Sequence, residues 1–264
     1  MNAPTKADPS RLLELRAKID AIDESVHRLL MQRAEVIDEL IKVKGTARNG
    51  AAFRPGREAD MMRRLADRHR GHLPLTAIEH LWREIISTFT ALQAPFDVLV
   101  AAGADPVAMV EVARFYFGFS VPMMLQDTAA DVVTAIEEGG DRLGILPIGT
   151  LDHPWWQGLR SAHVVARLPF FEAADRPAAT PSLVVAPPLS DPVPPEITCF
   201  CVDGLKTMPA PADGVTILAE ARYGTDRFSA IVASADPKAD LTSLGDGLDI
   251  RPIGGYAAPF RPTV

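Results

Sequence analysis

The sequence has few cysteines and no long apolar segments. Its only cysteines, Cys199 and Cys201, are two residues apart, which in a strand places both thiols on one face but gives poor disulfide geometry. Two thiols without nearby histidines do not complete a zinc site either. No apolar run approaches the roughly 18 residues of a membrane helix, and the opening residues MNAPTKADPS contain no apolar signal core. We therefore expect reduced core thiols in a soluble cytoplasmic protein that does not bind membranes.

Charge is distributed unevenly along the 264 residues, a length that predicts two domains. Residues 1–95 hold 16 Lys and Arg against 13 Asp and Glu, a net charge of +3, whereas the remainder holds 11 against 21, a net charge of −10. A locally basic segment in an acidic protein favours a small anionic ligand over nucleic acid, which needs a broad basic surface.

One long helix is predicted between Arg11 and Lys44. Apolar residues recur there at alternating intervals of three and four, which marks a single helical stripe: Leu12, Leu15, Ile19, Ile22, Val26, Leu29, Val36 and Leu40. A helix of this length extends about 50 Å, further than a small domain can cover. We therefore predict a homodimer in which two copies of the helix pack against each other.

Arg33 interrupts this stripe where an apolar residue is expected. Its desolvation must be offset by an anionic ligand or by an internal carboxylate such as Glu35 or Asp38, and the helix alone leaves both possibilities open. Lys44 lies eleven residues later and points within about 20° of Arg33, so both cations face the same space. Arg16 points about 100° away from Arg33 and could instead enter the site of a partner subunit.

Two further helices are predicted before residue 95. Glycine and asparagine over Gly45–Ala52 predict a flexible loop, and a second helix follows residues 53–58 and ends near His69. A third helix is predicted from about Leu75 to Gln93, and its buried face is expected to carry the apolar residues Ile78, Leu81, Trp82, Ile85, Ile86, Phe89 and Leu92. Gln93, which shares a face with Phe89, is either a solvated helix end or a buried hydrogen-bond donor.

Unusual residues recur together within these three helices. They are Leu15-Arg16, Ile19-Asp20, Ile22-Asp23, Leu29-Leu30, Arg33, Lys44, Pro55, Arg57-Glu58, Arg83-Glu84-Ile85-Ile86 and Leu92-Gln93. With this set, residues 11 to about 94 resemble the all-helical chorismate mutase family. The resemblance implies an all-α three-helix domain over residues 10–94 that forms an intertwined dimer. It also implies conversion of chorismate to prephenate in phenylalanine and tyrosine biosynthesis, without cofactor or metal.

The same resemblance implies three catalytic residues. Lys44 and Gln93 would donate hydrogen bonds to the ether oxygen of chorismate, where negative charge grows as the C–O bond breaks. Glu58 would fix the ring hydroxyl. The rearrangement is intramolecular and needs no nucleophile or metal, which agrees with a sequence that shows no Ser/His/Asp or metal-ligand cluster.

Five further residues are implied to bind the substrate. Arg16 of the partner subunit and Arg33 would hold the two carboxylates, and Arg57 would balance the charge beside the ring hydroxyl. Arg54 and Phe89 stand where some members carry an aspartate and a serine near the substrate.

From Phe96 the pattern changes to short apolar runs that alternate with helical segments. Strands are predicted at 98–101, 121–125 and 143–148, separated by helices at about 105–117 and 128–138, and this βαβαβ order predicts an α/β domain over residues 96–264. The proline-rich stretch 169–195 is interpreted as an irregular connector. Further strands are predicted near 197–202, 215–219, 228–232 and 250–253.

Three segments of this half, residues 113–118, 135–139 and 144–148, resemble the prephenate dehydratase domain, which implies a periplasmic-binding-like fold. Two features depart from that family. Gly149-Thr150 replaces an acidic-amide pair, and Asp226 adds one residue to the catalytic Thr-Arg-Phe pattern. We therefore expect a non-catalytic domain. A bifunctional mutase and dehydratase with Arg227 in its active site stays open, as do an isochorismate-pyruvate lyase and a non-catalytic metabolite-binding regulator.

Overall fold

The computed structural model describes residues 8–44, 53–174, 176–189, 193–207 and 214–261. The chain forms two compact units, residues 1–47 and 48–264. The loop predicted over Gly45–Ala52 lies outside the described residues. No helix within the described ranges is both long enough and apolar enough to cross a membrane.

The first unit contains one uninterrupted helix, α1 (Pro9–Lys44), which confirms the predicted helix to within two residues at its start. Its 36 residues extend about 54 Å. The apolar stripe lies almost entirely exposed, at Leu12, Leu15, Ile19, Ile22, Val26, Leu29 and Val36. These side chains are 42–62% exposed.

The second unit begins with the two other predicted helices, α2 (Pro55–Arg68) and α3 (Leu75–Gln93). Pro55 occupies the first turn of α2, where its missing N–H is not needed. Met62 and Leu65 of α2 are buried in one hydrophobic core with Ile86 of α3 and with residues beyond 96. The predicted domain boundary between residues 94 and 96 thus falls inside a continuous core.

The orientation of α3 differs from its predicted apolar stripe. Leu81 and Leu92 were assigned to the buried face, but they are 53% and 61% exposed. The buried face instead carries Glu79 and Arg83 in line with Ile86. These charged side chains are buried because they find oppositely charged partners inside the second unit.

The predicted βαβαβ order is confirmed. Its elements are β1 (Asp97–Ala101), α4 (Pro106–Phe117), β2 (Met123–Gln126), α5 (Ala129–Glu137) and β3 (Arg142–Pro147). Asp105 caps α4 by accepting a hydrogen bond from the backbone of Ala108, and Thr128 and Asp131 form a capping box at the start of α5. Strand β1 pairs in parallel with both β2 and β3.

The proline-rich stretch contains a strand, so the interpretation of residues 169–195 as an irregular connector was wrong. Strand β6 (Ser182–Ala186) is buried at every position and pairs antiparallel with β3 and with β5 (His163–Leu168). The prolines at 181 and 187 flank this strand rather than interrupt it, so its backbone N–H groups remain available for pairing.

The remaining strands are β4 (Gly149–Leu151), β7 (Ile197–Leu205), β8 (Val215–Tyr223), β9 (Arg227–Ser234) and β10 (Asp249–Tyr256). All described strands join one sheet in the order β2-β1-β3-β6-β5-β10-β7-β9-β8-β4. The four strands predicted between residues 197 and 253 are confirmed, each with longer bounds. An all-α segment followed by an α/β region is therefore the fold class of the chain.

Two cysteines and two tryptophans are buried in the hydrophobic core of the α/β region. Cys199 and Cys201 are free and buried in β7, as predicted. Burial raises the pKa of both thiols to about 12. Trp155 and Trp156 are buried as well, and their indole N–H groups donate to the carbonyl of Pro147 and the hydroxyl of Ser229.

Candidate active site

Three of the predicted site residues belong to α1. Arg16 is exposed and Arg33 is half-buried, and both lie within the uninterrupted helical backbone that the prediction assumed. Lys44 is the last residue of the helix. Its side chain is outside what the structure describes.

The start of α2 carries three further predicted residues. Arg54, half-buried, precedes the helix, and its carbonyl accepts a hydrogen bond of 3.0 Å from the backbone N–H of Glu58. Arg57 is exposed, whereas the neighbouring Glu58 turns inward, as expected for positions 100° apart. Glu58 also lies in the first turn, where the helix dipole favours a carboxylate.

Glu58 pairs with Arg83 of α3. The distance from Nη1 of Arg83 to Oε2 of Glu58 is 3.0 Å, and the two side chains are 7% and 14% exposed. Burial raises the pKa of Glu58 to about 7, although the guanidinium of Arg83 partly offsets this effect. The buried carboxyl group of Glu58 is therefore protonated more readily than that of an exposed glutamate.

Glu58 and Arg83 also line a small cavity with Tyr116 and Arg167. Its volume of about 30 Å³ holds one water molecule and is far below the 300 Å³ or more of ordinary ligand pockets. Within the second unit, the described residues therefore leave only a water-sized space beside Glu58.

The end of α3 brings two predicted residues together. Phe89 is buried, and its carbonyl accepts a hydrogen bond of 2.9 Å from the side-chain amide of Gln93. Gln93 is half-buried, so it is neither a fully solvated helix end nor a fully buried hydrogen-bond donor. One of its two amide hydrogens is used in this bond, and the other remains for a ligand.

A second layer of charge lies behind Arg83, and sequence reasoning missed it. Glu79 is fully buried, accepts a hydrogen bond of 3.2 Å from the hydroxyl of Tyr116 and lies 3.2 Å from Nη2 of Arg176. The hydroxyl of Tyr116 in turn accepts a hydrogen bond of 2.7 Å from the backbone N–H of Phe170. Burial, followed by the nearby Glu79 carboxylate, raises the pKa of Tyr116.

A signal for this layer exists in the spacing of α3. Glu79, Arg83 and Ile86 follow one another at intervals of four and three, so a buried Ile86 implies that both charges face the same core. Their partners could not be found from the sequence, because Arg176 lies almost one hundred residues further along the chain.

The helical segment matches a known family. Residues 15–94, a range that includes every predicted site residue, match the model of type II chorismate mutases. The chain therefore carries a chorismate mutase type II domain over this range, which confirms the resemblance found in the sequence.

Similar proteins contain this domain together with a second one. A bifunctional chorismate mutase/prephenate dehydratase from Neisseria gonorrhoeae is 32% identical over 126 residues, 48% of this chain and 34% of that protein. Its counterpart from Aquifex aeolicus is 30% identical over 141 residues, 52% of this chain and 38% of that protein. The chain thus spans well under half the length of these curated relatives. A solved prephenate dehydratase from Streptococcus mutans aligns over 62% of this chain and all of that one, at 11% identity and a TM-score of 0.34.

Proposed function

We propose that the chain is a chorismate mutase that converts chorismate to prephenate. The family match over residues 15–94 carries this proposal, because all eight predicted site residues fall within it. In this assignment, the catalytic residues are Lys44, Gln93 and Glu58, and the substrate-binding residues are Arg16, Arg33, Arg54, Arg57 and Phe89.

The cationic residues would bind and orient the substrate. The reaction breaks the ether C–O bond and forms a C–C bond within one molecule, so the main requirement is a compact conformer with the side chain over the ring. Arg33 and Arg16 of the partner subunit would each hold one carboxylate, since a planar guanidinium can grip a carboxylate with two hydrogen bonds. Arg57, exposed at the start of α2, would add positive charge beside the ring.

Lys44 and Gln93 would stabilise the transition state. Negative charge accumulates on the ether oxygen only as the C–O bond breaks, so donors aimed at that oxygen lower the barrier more than they strengthen substrate binding. The hydrogen bond from Gln93 to the carbonyl of Phe89 orients the amide and leaves its second hydrogen available for this purpose.

The proposed assembly is a homodimer formed through α1. Seven apolar side chains of one stripe lie exposed along this helix. Exposed apolar area on this scale is typical of a protein–protein interface. A second copy would cover the stripe and bring Arg16 into the partner's site. The free, buried cysteines support a cytoplasmic location.

The α/β region from residue 96 to 264, predicted as a domain of its own but sharing a core with α2 and α3, would be non-catalytic. Arg227, the candidate catalytic arginine of a dehydratase, is exposed at the turn between β8 and β9. The bifunctional relatives nevertheless make dehydratase activity the second candidate function. Prephenate incubated with the protein should stay unchanged, and formation of phenylpyruvate would establish the second function instead.

The test of the mutase proposal is a chorismate consumption assay with identification of the product. We expect prephenate from the wild-type protein and a loss of activity in Arg33→Ala. Arg28→Ala serves as the control, because this exposed arginine lies five residues earlier and points about 140° away. If chorismate stays unchanged, the protein binds its ligand without converting it. If isochorismate alone reacts, giving pyruvate and salicylate, the protein is the related lyase.

A further inference from the structure

A buried cluster of charges connects the mutase helices to the α/β region. We call Glu58, Glu79, Arg83, Arg176 and Tyr116 the charge cluster. Glu79, Arg83, Arg176 and Tyr116 are each no more than 7% exposed. Three members lie in the segment that matches the mutase family, whereas Tyr116 lies on α4 and Arg176 follows β5.

Arg83 lies between the two carboxylates of the charge cluster. It pairs with Glu58 at 3.0 Å, and its guanidinium stacks over the ring of Tyr116 at 4.8 Å. Burial raises the pKa of Glu79, and Arg83 is close enough to lower it in part, together with Arg176. One guanidinium thus interacts with both acids, but it makes its hydrogen bond to Glu58.

Glu79 has its own partners outside the mutase segment. Arg176 lies 3.2 Å from its Oε2 atom, and the hydroxyl of Tyr116 donates to its Oε1 atom. Arg176 is itself fixed by hydrogen bonds to the carbonyls of Phe171 and Pro177. These contacts give Glu79 one ion pair and one hydrogen bond that do not involve Arg83, and Arg83 remains with Glu58.

The pairing can change if these partners are removed. Oε2 of Glu79 and Nε of Arg83 are buried and form no hydrogen bond within the described residues, so each has unused capacity. The cluster holds two carboxylates and two guanidiniums, and a buried charge that loses its partner must find another. Without Arg176 or the Tyr116 hydroxyl, Glu79 would draw Arg83 away from Glu58.

We propose that Tyr116 and Arg176 are positioning residues for the mutase reaction, because their contacts with Glu79 keep Arg83 paired with Glu58. This inference rests on the proposed function. It makes the geometry of Glu58, in the mutase segment, depend on two side chains of the α/β region.

Titration of Glu58 provides a signature of this role. The charged and titratable groups that face it are Arg83 from α3, Tyr116 from α4 and Arg167 from β5. Burial raises the pKa of Glu58 and Arg83 lowers it, so withdrawal of Arg83 raises that pKa further. If ionised Glu58 accepts a hydrogen bond from the ring hydroxyl, kcat/KM falls on the acid side of this pKa.

The experiment compares pH profiles of kcat/KM for wild-type protein and Tyr116→Phe, which removes only the hydroxyl. We expect the acid limb to move upward by at least about half a pH unit, an approximately threefold loss at pH values below the limb, with little change at pH 9. The shift should vanish in a Glu58→Gln background. Tyr223→Phe is the matched control, because its hydroxyl also accepts a backbone N–H bond but belongs to the β8 to β9 hairpin.

A second variant and a second measurement keep the test decisive. Arg176→Lys retains the charge but cannot reproduce the guanidinium contacts, so it should shift the limb in the same direction. Carboxyl NMR of glutamate-labelled protein, with the Glu58 signal assigned through Glu58→Gln, reports the same pKa without activity. Unchanged pH profiles and an unchanged Glu58 titration in both variants would overturn this inference and leave the proposed function intact. A shift that persists in the Glu58→Gln background would do the same. A wild-type protein inactive on chorismate would overturn the proposed function first.

Discussion

The carboxylate of Glu84 on α3 accepts a hydrogen bond of 3.0 Å from the backbone N–H of Phe119, just beyond α4. This contact joins the third mutase helix to the first helix of the α/β region. It is possible because Gly118 ends α4 with a φ of +70°, a conformation that turns the following N–H toward Glu84.

Replacement of Gly118 by alanine should therefore destabilise the protein by about 2.5–5 kcal/mol. A Cβ at this position would collide with the carboxylate of Glu84. The positive φ adds a cost of about 1–2 kcal/mol, and loss of the charged hydrogen bond adds about 1.5–3 kcal/mol. Urea denaturation measures the difference as a shift in midpoint at constant slope.

Gly139→Ala is the matched control for this prediction. Gly139 has a φ of +90°, but a Cβ there would meet nothing within 4 Å. It should therefore lose only the backbone contribution. Equal destabilisation of the two variants would mean that Glu84 moves aside without cost.

Glu137 is expected to contribute stability that depends on pH. Partial burial raises its pKa, but hydrogen bonds from the backbone N–H groups of Arg160, Ser161 and Ala162 outweigh burial and lower the pKa to about 2. Because the pKa in the folded state is below its ordinary value of 4.5, the stabilisation is complete above pH 4.5 and is lost as the pH falls toward 2.

Glu137→Gln should thus be less stable than wild type by about 1.5–3 kcal/mol at pH 7, and the difference should shrink toward zero at pH 2. Thermal unfolding at several pH values measures this convergence. Glu138→Gln, which changes the exposed neighbouring residue, should match wild type throughout. A constant difference between Glu137→Gln and wild type at all pH values would contradict the assignment of the effect to the charge.

The sequence predicts the elements of this protein better than the faces by which they pack. The bounds of α3 follow from its apolar repeat, and the βαβαβ order follows from alternating apolar runs. Strand β6 was not predicted because the prolines on either side of its five residues are typical of an irregular segment. The strand is buried only through its pairing with β3 and β5. Local patterns do not contain such long-range pairing.

The candidate site, like the fold, could be predicted only in part from the sequence. Its residues could be assigned only through the resemblance to the mutase family, whose model matches residues 15–94. The burial of Arg83 was missed, although its spacing from Ile86 indicates it, because a count of apolar residues assigns charged residues to solvent unless their partners are known. Its surroundings include Tyr116 and Arg176, which lie far away in sequence and approach only when the second unit folds.

Lys44→Ala should lower mutase turnover by at least about two powers of ten, the usual effect of losing one transition-state donor. Substrate affinity should change less, because charge grows on the ether oxygen only in the transition state. Lys42→Ala is the control, since this exposed lysine lies on the same helix and points about 160° away. Turnover within a fewfold of wild type in Lys44→Ala would exclude this lysine as the donor.

Ile22→Glu should dissociate the proposed dimer. Ile22 is 60% exposed at the middle of the α1 stripe, and in a symmetric interface the substitution would bury two unpaired carboxylates. A cost of about 3 kcal/mol would raise the dimer dissociation constant more than a hundredfold, which sedimentation analysis can measure. Leu13→Glu is the control, because Leu13 is 65% exposed but lies on the opposite face of the same helix. Since the proposed site takes Arg16 from the partner, the Ile22 variant should lose mutase activity at the concentrations at which it dissociates. A dimer that tolerates Ile22→Glu as well as Leu13→Glu would place the interface elsewhere.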